Sequence, residues 1–69
     1  MPKFVHIVQV HPVELGKPNL HKVKHEAEFQ FHDDALAYVK QQNRMFKKAG
    51  DVLEAVYYGC VNDATGELL

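Results

Sequence analysis

Phe4-Val5-His6-Ile7-Val8-Gln9-Val10-His11 is the stretch that decides the fold. Phe4, Val5, Ile7, Val8 and Val10 are aromatic or β-branched, and they fall on both sides of an alternating pattern. A strand built from them has no face to give to water. It belongs in the middle of a sheet, and the reading extends it from Lys3 to His11.

Downstream, Pro12 and then Gly16-Lys17-Pro18-Asn19 supply turn chemistry, in a connection long enough for a mobile tip to be expected. Leu20 to Phe31 then alternates. His21, Val23, His25, Ala27, Phe29 and Phe31 share one face, and Lys22, Lys24, Glu26, Glu28 and Gln30 share the other, which predicts a half-buried second strand. Asp33 and Asp34 suit the cap and first turn of a helix, and Gly50 suits its left-handed end, so a helix is expected over Asp34 to Ala49. Its apolar stripe is Ala35, Val39, Phe46 and Ala49, with Leu36, Tyr38 and Met45 at the margins and Gln42 within it.

Asp51 to Val61 reads as a third strand, with Val52, Val56, Tyr58 and Cys60 on one face, broken by Glu54, and Leu53, Ala55, Tyr57 and Val61 on the other. Gly59 inside it marks a bulge or a close backbone approach. Asn62-Asp63-Ala64-Thr65-Gly66 is a turn cluster from which Glu67-Leu68-Leu69 can return as a short strand. The order is ββαβ with an optional last strand, an α+β domain spanning 1–69. A hairpin makes the first two strands antiparallel, and the helix returns the chain so that the third strand lies on the far side of the first. The sheet order is then 2-1-3 with one helix on one face. Two hairpin registers are open: His11 with His21 and Ile7 with His25, or His6 with His25 and Val10 with His21. The second buries more apolar surface.

At 69 residues, with 46% hydrophobic and 25% charged residues, four glycines and three prolines, the chain has the composition of a folded domain, not of a disordered or collagenous one. So short a chain buries only about 60% of its unfolded surface, which argues against a deep enzyme cleft within one copy. A net charge of −1 argues against a nucleic-acid coat or a membrane-surface module. Cys60 is the one cysteine and cannot form an internal disulfide, so a reducing, cytoplasmic setting is expected. No apolar run approaches the roughly eighteen residues of a membrane span, and none forms a signal-peptide core.

Five histidines invite a metal reading. His21 and His25 share a strand face but stand about 13 Å apart, so they cannot chelate one ion together. Two imidazoles paired across strands supply only half a zinc site, and no metal or other cofactor is expected. The start Met1-Pro2 is similar to that of small tautomerases, which use a terminal proline amine as base. The likeness ends there, because here the first strand turns back into a second strand and no matching arginine follows it. No base, nucleophile and oxyanion donor fall together, so no catalytic residue is assigned. Cys60 reads as an inert strand thiol. Lys40, Arg44, Lys47 and Lys48 share one sector of the helix opposite its apolar stripe, a ridge that suits nucleic-acid phosphates and also complements the helix dipole.

The most informative feature is the sheet face that one helix leaves uncovered. The helix side is expected to hold Phe4, Val8, Val10, Val23, Phe29 and Phe31. The other side is expected to hold Val5 and Ile7 beside Val52, Val56, Tyr58 and Cys60. Stacking two copies buries that apolar face, and Ile7→Lys is expected to separate them. The expected function is a non-enzymatic interaction or regulatory module that forms a homodimer, with Val5, Ile7, Val52, Val56 and Tyr58 at the interface, or that docks another protein there. The alternatives are nucleic-acid binding by the helix ridge and a small enzyme assembled at a dimer interface.

Overall fold

The computed structural model describes residues 3–69; Met1 and Pro2, on which the proline-amine reading falls, lie outside the described residues. The elements are β1 (Phe4–Glu14), β2 (Lys17–Pro18), β3 (His25–Phe29), α1 (His32–Ala49) and β4 (Leu53–Asn62). β1 is central, as its two apolar faces require. It pairs antiparallel with β3 and β2 on one side and with β4 on the other. This is the α+β architecture read from the sequence, with a short additional strand.

The second expected strand is broken in two. β1 runs on through Pro12 to Glu14, and the chain reverses in a two-residue turn at Leu15 and Gly16, both at positive φ (54° and 79°), as a tight hairpin demands. β2 then pairs Val13 with Pro18. Continuing that register would set His21 against Val10, the arrangement favoured from the sequence. Instead His25 stands opposite Val10, four residues further on, and His6 faces Phe29. Residues 19–24 are looped out between the two pairings. Because the excursion is an even number of residues, every side chain of β3 keeps the face that the alternation assigned to it. His6 and His25 are therefore not partners.

The loop has its own fastenings. Asn19 Nδ2 donates to Glu14 Oε2 at 2.6 Å, Asn19 Oδ1 accepts the His21 N–H, and the Lys24 N–H reaches the Val10 carbonyl at 2.8 Å. The bond from Asn19, and then the charge of Lys22, hold the Glu14 carboxyl below its ordinary value. His11, 1% exposed, donates from Nδ1 to the Lys22 carbonyl at 2.7 Å, since a carbonyl can only accept; its Nε2 is buried without a partner. The long connection is thus a tight turn followed by a hydrogen-bonded loop.

Leu15 occupies the first turn position with its side chain fully in solvent. A leucine there strains its backbone and gains no burial in return. Leu15→Asn, which makes the favoured Asn-Gly turn, is expected to raise stability by about 0.5–1 kcal/mol in denaturant melts. A loss of stability would show that the strain is absent.

α1 begins two residues earlier than expected, at His32 instead of Asp34. Phe31 occupies the cap position with no side-chain bond, while Asp33 and Asp34 lie inside the first turn, where they complement the dipole without capping. Gly50 closes the helix at φ 76°, its N–H on Lys47 O and the Asp51 N–H on Phe46 O. The core lies between this helix and the sheet: Val8, Val10, Ala35 and Ala55 are buried, ringed by Phe29, Tyr38, Val39, Phe46, Leu53 and Tyr57. Phe4, Val23 and Phe31 were expected there but stay substantially exposed. Phe4 starts a strand, Val23 sits in the loop, and Phe31 precedes the helix.

β4 carries the bulge that Gly59 suggested. Ile7 pairs with Gly59 and Val8 with Tyr57, so Tyr58 is the extra residue. Past it the faces exchange. Cys60 comes opposite His6 on the helix side, and Val61 joins Val5 on the open side, the reverse of the uninterrupted alternation. The last residues return as anticipated: Leu68 bridges Val61 and the Leu69 N–H donates to Cys60 O. Leu68 closes over Gly59, where an added Cβ would lie 2.5 Å from Leu68 Cδ1.

Candidate functional site

Cross-strand pairs share a face, so the registers sort the two sides of the sheet. The open side carries Val5, Ile7, Gln9 and His11 of β1, Glu26 and Glu28 of β3, and Val56 and Val61 of β4. Val13, whose N–H bonds the Val52 carbonyl, brings Val52 onto the same side. The five residues read as an interface therefore fall together on one face, and the structure divides them by depth. Val5 and Ile7 are each 5% exposed, buried within a single chain, whereas Tyr58 is 49% and Val52 71% exposed.

The surface is a shallow trough of two joined hollows. One, of about 340 Å³, is lined by Ile7 and Val61 but rimmed by the carboxylates of Glu26, Glu28 and Asp63. The other, of about 350 Å³, is lined by His11, Pro18, Leu20 and Val56 and is mostly apolar. Gln9 and Tyr58 border both, and Gln9 Nε2 donates to Glu26 Oε2 at 3.0 Å. One hollow is thus mostly apolar and the other acidic, and carboxylates stand on both flanking strands, Glu26 and Glu28 on β3 and Glu54, the partner of His11, on β4.

On the helix side the structure assembles a cluster the sequence reading missed. His6 Nδ1 and the Tyr57 hydroxyl are 2.8 Å apart, and the His32 ring stands 5.4 Å from His6 and edge-on to Tyr57 at 5.1 Å. The hydrogen-bonded pair is half-buried. The signal was in the parity of His6 and Tyr57, both on the helix side, but their alignment depends on the bulge. His21 and His25 are exposed and stand apart from it. Among the described residues no three His, Cys, Asp or Glu side chains stand close enough to hold a metal ion. Cys60 is a half-buried free thiol.

Lys40, Arg44, Lys47 and Lys48 are all exposed along α1. Among the described residues the one ion pair is Lys22 with Glu14, at 3.5 Å, so the ridge is not neutralised internally. Among the same residues no helix is long and apolar enough to cross a membrane. Compared with family models, with curated proteins and with solved structures, the chain shows no match.

Proposed function

We propose that this chain is a small non-enzymatic interaction module that self-associates through the open face of its sheet. The observation that carries the reading is the exposure of Tyr58 and Val52 beside Val56 on a face that the helix does not cover. Stacked sheets approach to about 10 Å and interdigitate such side chains, while Glu26 and Glu28 suit a polar rim. A cytoplasmic setting fits the free thiol of Cys60. Nucleic-acid binding by Lys40, Arg44, Lys47 and Lys48 is the second reading, supported by their common exposure on one helix.

Tyr58→Glu tests the first reading, because Tyr58 is already half in solvent and the change spares the fold. Sedimentation of the wild type is expected to show a dimer, and the variant is expected to dissociate at least about 30-fold more readily, the effect of losing a central tyrosine anchor. A wild type that stays monomeric at high concentration sinks the reading. Salt-sensitive retention of that monomer on DNA or RNA, lost in Arg44→Glu, would favour the second.

A further inference from the structure

The two edges of the sheet are treated differently. On β4, Asn43 of the helix bonds both the N–H and the C=O of Ala55, at 2.7 and 3.0 Å, and the returning chain occupies Cys60 O and the main chain of Asn62. That edge is largely closed. β3 pairs with β1 alone among the described strands, and its other edge meets no strand.

The register shows which groups stand there. The Val10 carbonyl turns toward the β3 side, where it accepts the Lys24 N–H, and His25 is the partner of Val10. His25, Ala27 and Phe29 therefore direct their main chain to β1, and Glu26 and Glu28 direct theirs outward. Parity on the other side of β1 agrees, since Ala55, also a partner of Val10, has its N–H and C=O free for Asn43. The same two residues project their carboxylates onto the open face, beside the hollow that Asp63 also rims. Between them Ala27 faces the helix side, next to Phe29 and Tyr38, whose rings are 5.0 Å apart.

We propose that the outer edge of β3 docks an extended segment of another protein in which two basic residues flank an apolar one. Main-chain bonds to Glu26 and Glu28 hold the added strand. Its basic side chains fall on the open face against the two carboxylates, and its apolar residue falls beside Ala27 on the other face. A second copy does not fit the same edge. Two β3 strands meeting antiparallel about Ala27 bring Glu26 of each against Glu28 of the other, like charges directly opposed. The edge is thus guarded against self-pairing and open to a cationic strand, independently of whether the open face forms a dimer.

The probe is the capped peptide acetyl-Thr-Lys-Val-Lys-Thr-amide, titrated into the full chain with amide shifts followed by NMR. The Glu26 and Glu28 amides are expected to shift most. Affinity is expected to fall at least tenfold for the scrambled peptide Lys-Lys-Val-Thr-Thr, tenfold when the two lysine amides are N-methylated, and more in the Glu26→Lys, Glu28→Lys variant. Equal binding of the scrambled or methylated peptide reduces the contact to charge attraction and overturns the proposal. So does a wild-type dimer whose protected amides are Glu26 and Glu28, because that edge then belongs to a second copy. The proposed open-face dimer is read separately, from Tyr58→Glu.

Discussion

Ile7→Asp is expected to unfold the chain, while Ile7→Lys is expected to be tolerated. Ile7 is 5% exposed between Gly59 and Glu28 of the neighbouring strands, at the floor of the hollow that Glu26, Glu28 and Asp63 surround. An aspartate is too short to lift its charge out of that floor, and it joins three carboxylates of the same sign. The burial and repulsion together cost several kcal/mol. A domain of this length has only about 3–10 kcal/mol in total. A lysine at the same position keeps a long apolar stem in the hollow and delivers its ammonium to the rim, where the carboxylates attract it. Its cost is expected to be no more than about 1–2 kcal/mol. Urea melts of the two variants decide the matter, and equal destabilisation would mean that the acidic rim has no influence on Ile7. The same geometry removes Ile7→Lys as a clean test of association. Its side chain is buried whether or not a second copy is present, so Tyr58 is the position that separates the two.

Legibility in the sequence followed the reach of each signal. The central position of β1 was readable because period-two alternation is local and Phe4 to Val10 violates single-sidedness on its own. Strand order and the helix span followed from chain direction and turn chemistry, which are also local. The hairpin register was not readable. Nothing from His21 onward announces that residues 19–24 leave the ladder, because the alternation of His21, Val23 and His25 with Lys22 and Lys24 continues unbroken into β3. What removes them is a set of contacts across the chain, from His11 to Lys22 and from Asn19 to Glu14. The candidate face had a mixed outcome for the same reason. Val52, Val56 and Tyr58 kept their assigned side, and Cys60 lost it, since a single bulged residue inverts everything beyond it. Depth was invisible as well: Val5 and Ile7 look like Val52 in a sequence, but only the last lies outside the three-stranded centre.

Asn43→Ala is expected to loosen the seam between α1 and β4. Asn43 lies four residues beyond Val39 and three before Phe46, on the stripe that faces the sheet, where a polar residue calls for a partner. Its partner is the backbone. Oδ1 accepts the Ala55 N–H at 2.7 Å and Nδ2 donates to the Ala55 carbonyl at 3.0 Å, so one side chain stands in for the missing neighbour of an edge strand. Alanine abandons both groups of a residue that is itself buried in the core. Each such group left without a partner costs roughly 1–3 kcal/mol, less whatever water recovers, so a loss of about 2 kcal/mol or more is expected. In a domain of this size that lowers the melting temperature by about 8–16 °C. Asn43→Asp separates the two bonds: its carboxylate still accepts from the Ala55 N–H but opposes the carbonyl, so it is expected to recover little. Hydrogen exchange gives the local readout. The Ala55 amide should exchange much faster in Asn43→Ala while amides of β1 keep their relative protection, and the newly bared edge should make the variant aggregate as concentration rises. An Ala55 amide that stays protected in the variant would assign the closing of this edge to the packing of Val39 and Phe46 alone.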